Sequence, residues 1–372
     1  MSQLAQPIGI FDSGLGGLSV LREVNTLLSA EDVLYYADSA HCPYGGRSIE
    51  FILERSLAIT SYLVDQGAKL VVVACNTASS VALGRLREVF HVPIVGMVPA
   101  VKPAALATRS GKIGVLATPR TVTGEALAAL IREHAHNVSV YSVPAYGLVE
   151  LVEAGRTTGP EVEAALQPLI QPLTAKGVDT LVLGCTHYPF LRAAIAATAG
   201  EHVSIIESGE AVARRTAAVL RTNRLLSDRS RRGRLVLLSS SDAERTGVVA
   251  SLLLGRGDHG ADRSARNRRR SARLPGAVTS GHQEDHKQSD DRDDRLPHKR
   301  SMQGGRQNRS HRARRSGACG RRVEHGVDHI ERVERFTVRR GQTAHTGAYR
   351  GVHYAAQHGD DHRAAEAAEE QI

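Results

Sequence analysis

Two stretches, Leu70-Val-Val-Val-Ala-Cys-Asn-Thr77 and Thr180-Leu-Val-Leu-Gly-Cys-Thr-His187, decide how this chain folds. Each is a short apolar run, as expected of a strand buried on both faces, ending in a cysteine and polar residues. The two lie 110 residues apart. A second pair, Ile8-Gly-Ile-Phe-Asp-Ser13 and Ile113-Gly-Val-Leu-Ala-Thr118, repeats at an offset of 105. A repeat of this length predicts two similar lobes.

Outward from these runs, Val33 to Tyr36 and Pro93 to Met97 read as further strands of the first half, and Val138 to Tyr141 and Val203 to Ile206 as strands of the second. Helix-length stretches such as Ile49 to Gln66 and Glu161 to Lys176 lie between them. The alternation predicts an α/β fold of two pseudo-symmetric lobes, each a mostly parallel sheet flanked by helices, with the active site in the cleft between them. The first lobe is expected to comprise residues 1–97 and 208–255, the second 98–207. A helix from Glu210 to Leu226, a strand from Gly233 to Leu238 and an apolar segment from Val248 to Leu254 would complete the first lobe. Open α/β sheets bind ligands at the carboxyl ends of their strands, which brings Asp12, Cys75, Thr118 and Cys185 toward a common cleft.

Past Gly255 the periodicity stops. Of 48 basic and 39 acidic residues, 25 and 17 lie from Arg256 onward, so residues 256–372 carry eight of the nine net positive charges. That segment holds 11 of the 17 histidines and few large apolar residues, a composition expected to be disordered. Its His, Arg and Gly bias also matches a GC-rich message read out of frame. A nucleic-acid-binding protein acting through Arg263 to Arg273 is an alternative. Against it, Asp290 to Asp294 breaks the charge, aromatic residues for base stacking are sparse, and the body is nearly neutral. No run approaches the roughly 18 apolar residues of a membrane span, and the N-terminus lacks a signal-peptide pattern. The four cysteines, at 42, 75, 185 and 319, form no C-x-x-C pair, so free thiols in a reducing cytoplasm are expected and no metal ribbon is.

A cysteine at a strand tip before a helix is a common reactive thiol, because helix N-terminal amides favour the thiolate. A lone Cys75 would equally be a small buried hydrophobe; its repeat partner Cys185 shifts the reading toward function. Cys42 has no repeat partner and is read as a bystander. Gly14-Leu-Gly-Gly17 lacks the last glycine of a dinucleotide fingerprint and any phosphate-loop lysine, and reads as a tight turn into a helix.

Four motifs, Phe11-Asp-Ser-Gly-Leu-Gly-Gly-Leu-Ser-Val20, Tyr36-Ala-Asp-Ser-Ala-His-Cys-Pro-Tyr-Gly45, Ala74-Cys-Asn-Thr-Ala-Ser79 and Gly184-Cys-Thr-His-Tyr-Pro189, resemble the glutamate racemases of bacterial cell-wall synthesis, in that family's order and spacing. The similarity runs from Pro7 to about Gly255. Within the aspartate/glutamate racemase superfamily, His-Tyr-Pro after the second cysteine favours glutamate. The resemblance implies racemisation of glutamate without pyridoxal phosphate or metal, by two bases on opposite faces of the α-carbon. Cys75 would take the proton from D-glutamate and Cys185 from L-glutamate. Asp12 would assist the first, and His187 with Glu153 the second. Ser13, Tyr44, Gly45, Asn76, Thr77 and Thr186 match positions that bind the amino acid, with Thr118 and Thr121 as further members of that shell. Family members are often homodimers, and no membrane or nucleic-acid partner is implied.

Blander readings stand beside these: Asp12 closing a turn, His187 capping the next helix, Glu153 as a solvated helix residue. Another small dicarboxylate is a competing substrate. The chain departs from the family at Glu207, where aspartate is usual and packing at the lobe junction would be affected, and in its long tail.

Overall fold

Strand β1 (Ile8–Asp12) is buried along its whole length, as a run with no polar alternation must be when both sheet faces are covered. The computed structural model describes residues 3–255 and one later strand of the 372-residue chain. The other strands are β2 (Val33–Ala37), β3 (Leu70–Val73), β4 (Ile94–Val95), β5 (Lys112–Ala117), β6 (Ser139–Pro144), β7 (Thr180–Leu183), β8 (Ser204–Ile206), β9 (Leu235–Ser239) and β10 (Glu334–Thr337). The helices are α1 (Leu18–Leu27), α2 (Ile49–Asp65), α3 (Asn76–Val89), α4 (Val101–Ala107), α5 (Pro119–Val122), α6 (Glu125–His134), α7 (Leu148–Glu153), α8 (Pro160–Ala175), α9 (Arg192–Ala199), α10 (Gly209–Thr222) and α11 (Ala243–Leu253).

Two sheets result, ordered β10-β9-β2-β1-β3-β4 and β6-β5-β7-β8. All neighbours run parallel except β10, which pairs antiparallel with β9. The order β2-β1-β3-β4 recurs as β6-β5-β7-β8, so the sequence repeat is a repeat of topology. The equivalence reaches single bonds: Ala74 N–H donates to Phe11 O at 2.8 Å, and Gly184 N–H to Leu116 O at 2.7 Å. In each sheet the chain changes direction between the first strand and the third, the switch point where open α/β sheets hold ligands.

Period-two alternation sorts the strand side chains. Ile8, Ile10, Leu70 and Val72 join Leu181 and Leu183 of the second sheet in one core, filled by α1, α7, α8 and α10. Phe11, Val71 and Val73 face α2 and α3, and Ile113, Val115 and Val182 face α4 and α6. Each such aliphatic side chain contributes about 1.5–3 kcal/mol on burial. The first core unites the two halves and so holds their strand ends together.

After β8 the expected helix is α10, and β9 joins the first sheet beside β2. The apolar segment at Val248 to Leu254 belongs to α11, begun by Asp242, whose side chain accepts the Arg245 N–H. The passages between sheets meet where Ser208 Oγ donates to Val98 O at 2.7 Å. Glu207 beside them lies 3.8 Å from Arg192, and burial pushes its carboxyl up. Of the tail, only the β10 backbone is described, as an edge strand paired with β9; the rest of the tail expected to be disordered, and Arg263 to Arg273, lie outside the described residues. Among the described residues no helix is long and apolar enough to cross a membrane.

Candidate active site

Asp12 ends β1 and is wholly buried. Its Oδ1 accepts the Ser13 N–H at 2.7 Å and its Oδ2 the Gly17 N–H at 2.7 Å, which folds Gly14-Leu-Gly-Gly17 back onto the strand. The turn-closing reading therefore holds, and a second role stands beside it. Thr186 Oγ1 of the second lobe donates to Oδ2 at 3.4 Å, and the Cys75 thiol, which donates to Ser13 Oγ at 3.9 Å, lies close enough to act on the same carboxylate. Burial raises the Asp12 carboxyl above its usual range, against the His187 charge and these hydrogen bonds.

Cys75 is the N-cap of α3, and its Sγ accepts the Ala78 N–H at 3.5 Å. The helix N-terminus alone would favour a thiolate. Burial outweighs it and, together with the Asp12 carboxylate, pushes the thiol well above its usual range, so Cys75 rests protonated.

Cys185 occupies the equivalent place after β7 but starts no helix: the chain passes through a 3-10 turn, Tyr188–Leu191, before α9. A histidine takes the place of the helix amides. His187 Nδ1 lies 3.6 Å from Cys185 Sγ, and Nε2 lies 2.7 Å from Glu153 Oε1. Burial opposes an imidazolium, yet hydrogen bonds with Cys185, Cys42 and Glu153 raise His187 well above its usual range. The Gly16 N–H donates to Nε2 at 3.2 Å when that nitrogen is unprotonated; when Nε2 carries a proton, it donates to the closer Glu153 carboxylate. Two of the blander readings fall here. His187 makes no side-chain cap, and Glu153 is mostly covered, lying against His187 and accepting the Leu15 N–H at 2.6 Å.

The glycines of the turn are needed for close approach. A Cβ on Gly14 would lie 2.1 Å from Glu153 Oε1, and one on Gly16 would lie 2.2 Å from His187 Nδ1. The turn is the wall against which the His187–Glu153 pair rests.

Cys75 and Cys185 line one small cavity. Ser13, Tyr44, Gly45, Asn76, Thr77, Thr118, Thr186 and His187 line it as expected. Asp12, Glu153 and Thr121 stand one layer behind. Thr121 Oγ1 sits 3.0 Å from Thr118 Oγ1, which sits 3.0 Å from Thr77 Oγ1, so three hydroxyls join the lobes. The Tyr44 hydroxyl does not face the cavity freely: it donates to Asp38 Oδ2 at 2.5 Å. Asp38 also accepts Arg55 Nη2 at 2.8 Å and Nε at 3.0 Å. Burial disfavours the Asp38 charge, but the Arg55 guanidinium more than offsets this and holds the carboxyl below its usual range. Asn76 is buried, and neither its Oδ1 nor its Nδ2 has a hydrogen-bond partner among the described residues. An unpaired buried amide costs about 1–3 kcal/mol, which a polar ligand in the cavity would offset.

Four residues of this region escaped the sequence reading. Pro43, Val149 and Gly184 line the cavity, and Cys42, read as a bystander, brings its Sγ within 4.8 Å of a His187 ring nitrogen and a Glu153 carboxylate oxygen. Burial pushes the Cys42 thiol up to about 12. Repeat logic could not find it, because its loop has no counterpart in the second half.

Residues 8–216 match the Asp/Glu/hydantoin racemase family. A glutamate racemase of Ectopseudomonas mendocina is 49% identical over 256 residues, covering 68% of this chain and 97% of that protein. The chain belongs to the glutamate racemase family. A solved glutamate racemase of Bacillus anthracis aligns with a TM-score of 0.62 at 32% identity, over 67% of this chain and 94% of that one. The Escherichia coli glutamate racemase, solved with L-glutamate and the activator UDP-MurNAc-ala, aligns with a TM-score of 0.61 at 37% identity, over 66% and 95%. The family members match the body and not the whole length, which agrees with the break in composition after Gly255.

Proposed function

We propose that this amino-acid racemase interconverts L- and D-glutamate by a cofactor-independent, two-thiol mechanism and supplies D-glutamate for peptidoglycan. The observation that carries the reading is the pair of cysteines, at equivalent ends of β3 and β7, lining a single cavity with unlike partners. Inverting an α-carbon requires one group to remove its proton and another to return one to the opposite face. Cys75 rests as a thiol, the state that donates. The His187 imidazolium lies against Cys185, which makes Cys185 the base toward L-glutamate and Cys75 the proton donor that completes D-glutamate. Reversal exchanges the roles, with Asp12 serving Cys75 and Glu153 holding His187. Asn76, Thr77, Thr118, Thr186, Ser13 and the Gly45 backbone bind the carboxylates and ammonium, Asn76 with its two unpaired amide atoms. The lobes are 1–97 with 208–255, and 98–207; the enzyme works in the reducing cytoplasm, as a homodimer.

Circular dichroism of purified protein with L-glutamate, D-glutamate and L-aspartate tests the substrate. Signal loss with both glutamates and not with aspartate is expected; the reverse pattern would make it a racemase of another dicarboxylate. Cys75→Ser and Cys185→Ser should each nearly abolish racemisation. A single mutant that racemises both enantiomers near the wild-type rate would refute the two-thiol mechanism.

A further inference from the structure

Cys42 Sγ, a Glu153 carboxylate oxygen and a His187 ring nitrogen all lie within 4.8 Å of one another, although they come from a loop of the first lobe, α7, and the turn after β7. The geometry points to a three-ligand site for a divalent transition metal of the Zn2+ or Co2+ type, made by Cys42, Glu153 and His187 Nε2 with a water in the fourth position. Thiolate, imidazole and carboxylate together are the donor set that such borderline ions prefer, and three protein ligands with one open position is a common arrangement for them.

Three further observations fit. Glu153 Oε1 and His187 Nε2 are already 2.7 Å apart with Cys42 Sγ beside them, so little movement is needed to bring all three onto one ion. His187 keeps Nδ1 directed at Cys185 Sγ, 3.6 Å away, which is the outer partner a metal-bound histidine usually has. Gly14 presses on the cluster from one side: a Cβ there would meet Glu153 Oε1 at 2.1 Å and Cys42 Sγ at 2.9 Å, so the backbone fixes both side chains. On binding, the protons of Cys42 Sγ and His187 Nε2 leave for solvent, and bonds to the metal replace them. Thiolate and carboxylate then balance the two positive charges.

Occupancy replaces the Nε2 proton of His187 and separates Glu153 from it. Metal binding is therefore inhibitory, a consequence that rests on the function proposed above; the binding itself does not.

The test is a Co2+ titration of the full chain carrying Cys319→Ser, read by thiolate-to-cobalt charge-transfer absorption. The 11 histidines after Gly255 can bind Co2+ without producing that band. The band is expected in this parent and in its Cys75→Ser and Cys185→Ser derivatives, is expected to vanish on adding Zn2+, and is expected to be absent in Cys42→Ser. Glu153→Gln keeps the sulfur and should weaken binding by more than about tenfold, which carries the test should Cys42→Ser not fold. A parent without the band, a band that survives Cys42→Ser, a band lost in Cys185→Ser, or unchanged affinity in Glu153→Gln would overturn the site. A chain that binds Co2+ as described but does not racemise glutamate would overturn the proposed function and leave the metal site standing.

Discussion

Gly16→Ala tests whether the glycine turn sets the position of His187. Its new Cβ would stand 2.2 Å from Nδ1 and 2.6 Å from Cγ and Cε1, whereas ordinary contact begins at 3.4 Å. The ring must move by about 1 Å or the turn must open by as much. His187 is only 1% exposed, held at Nε2 by Glu153 and faced at Nδ1 by Cys185, so no open side receives it. A displacement of about 1 Å at a reacting group costs roughly 100-fold in rate, or about 2.7 kcal/mol of barrier. Overpacking should lower stability by about 1–3 kcal/mol. The assay is kcat/KM for both glutamate enantiomers by circular dichroism, with a urea melt to confirm folding. Folded Gly16→Ala protein retaining kcat/KM within about threefold of wild type would refute the claim that the turn positions this histidine.

Gly84, exposed in α3 with nothing within 4 Å of its would-be Cβ, is the opposite case: Gly84→Ala should raise stability by about 0.5–1 kcal/mol, seen as a higher urea midpoint with unchanged activity. Asp38→Asn leaves the buried Arg55 guanidinium without its carboxylate and should cost about 3–5 kcal/mol in a urea melt. Because the folded Asp38 carboxyl sits below its unfolded value of about 3.9, its contribution is complete above that pH and fades as pH falls through the folded value. Wild type should therefore lose more stability than Asp38→Asn when acidified over that range. Glu153→Gln removes a group that holds the His187 imidazolium, so the basic limb of the kcat/KM pH profile, where it reports His187, should move to lower pH; an unmoved limb would separate the two residues functionally.

Much of the architecture could be read from one dimension. Apolar runs such as Leu70 to Val73 have no polar alternation and can only be strands covered on both faces, and their recurrence at Thr180 to Leu183 carries the strand order of one sheet into the other. The cysteines follow from the same pattern, because the end of a central parallel strand points into the cleft whatever the side-chain details. Tertiary structure decided how each thiol is served. Sequence equivalence suggested that both would sit at helix N-termini, yet only Cys75 caps a helix, and burial with Asp12 outweighs that cap; Cys185 has a histidine instead. The Tyr44 hydroxyl is engaged by Asp38, and Cys42 joins His187 and Glu153 from a loop that has no repeat. Periodicity reports the face on which a residue lies, because neighbours along the chain set it. Protonation and hydrogen-bond partners depend on groups brought together from distant parts of the chain, and only the packing of two lobes around one core specifies those.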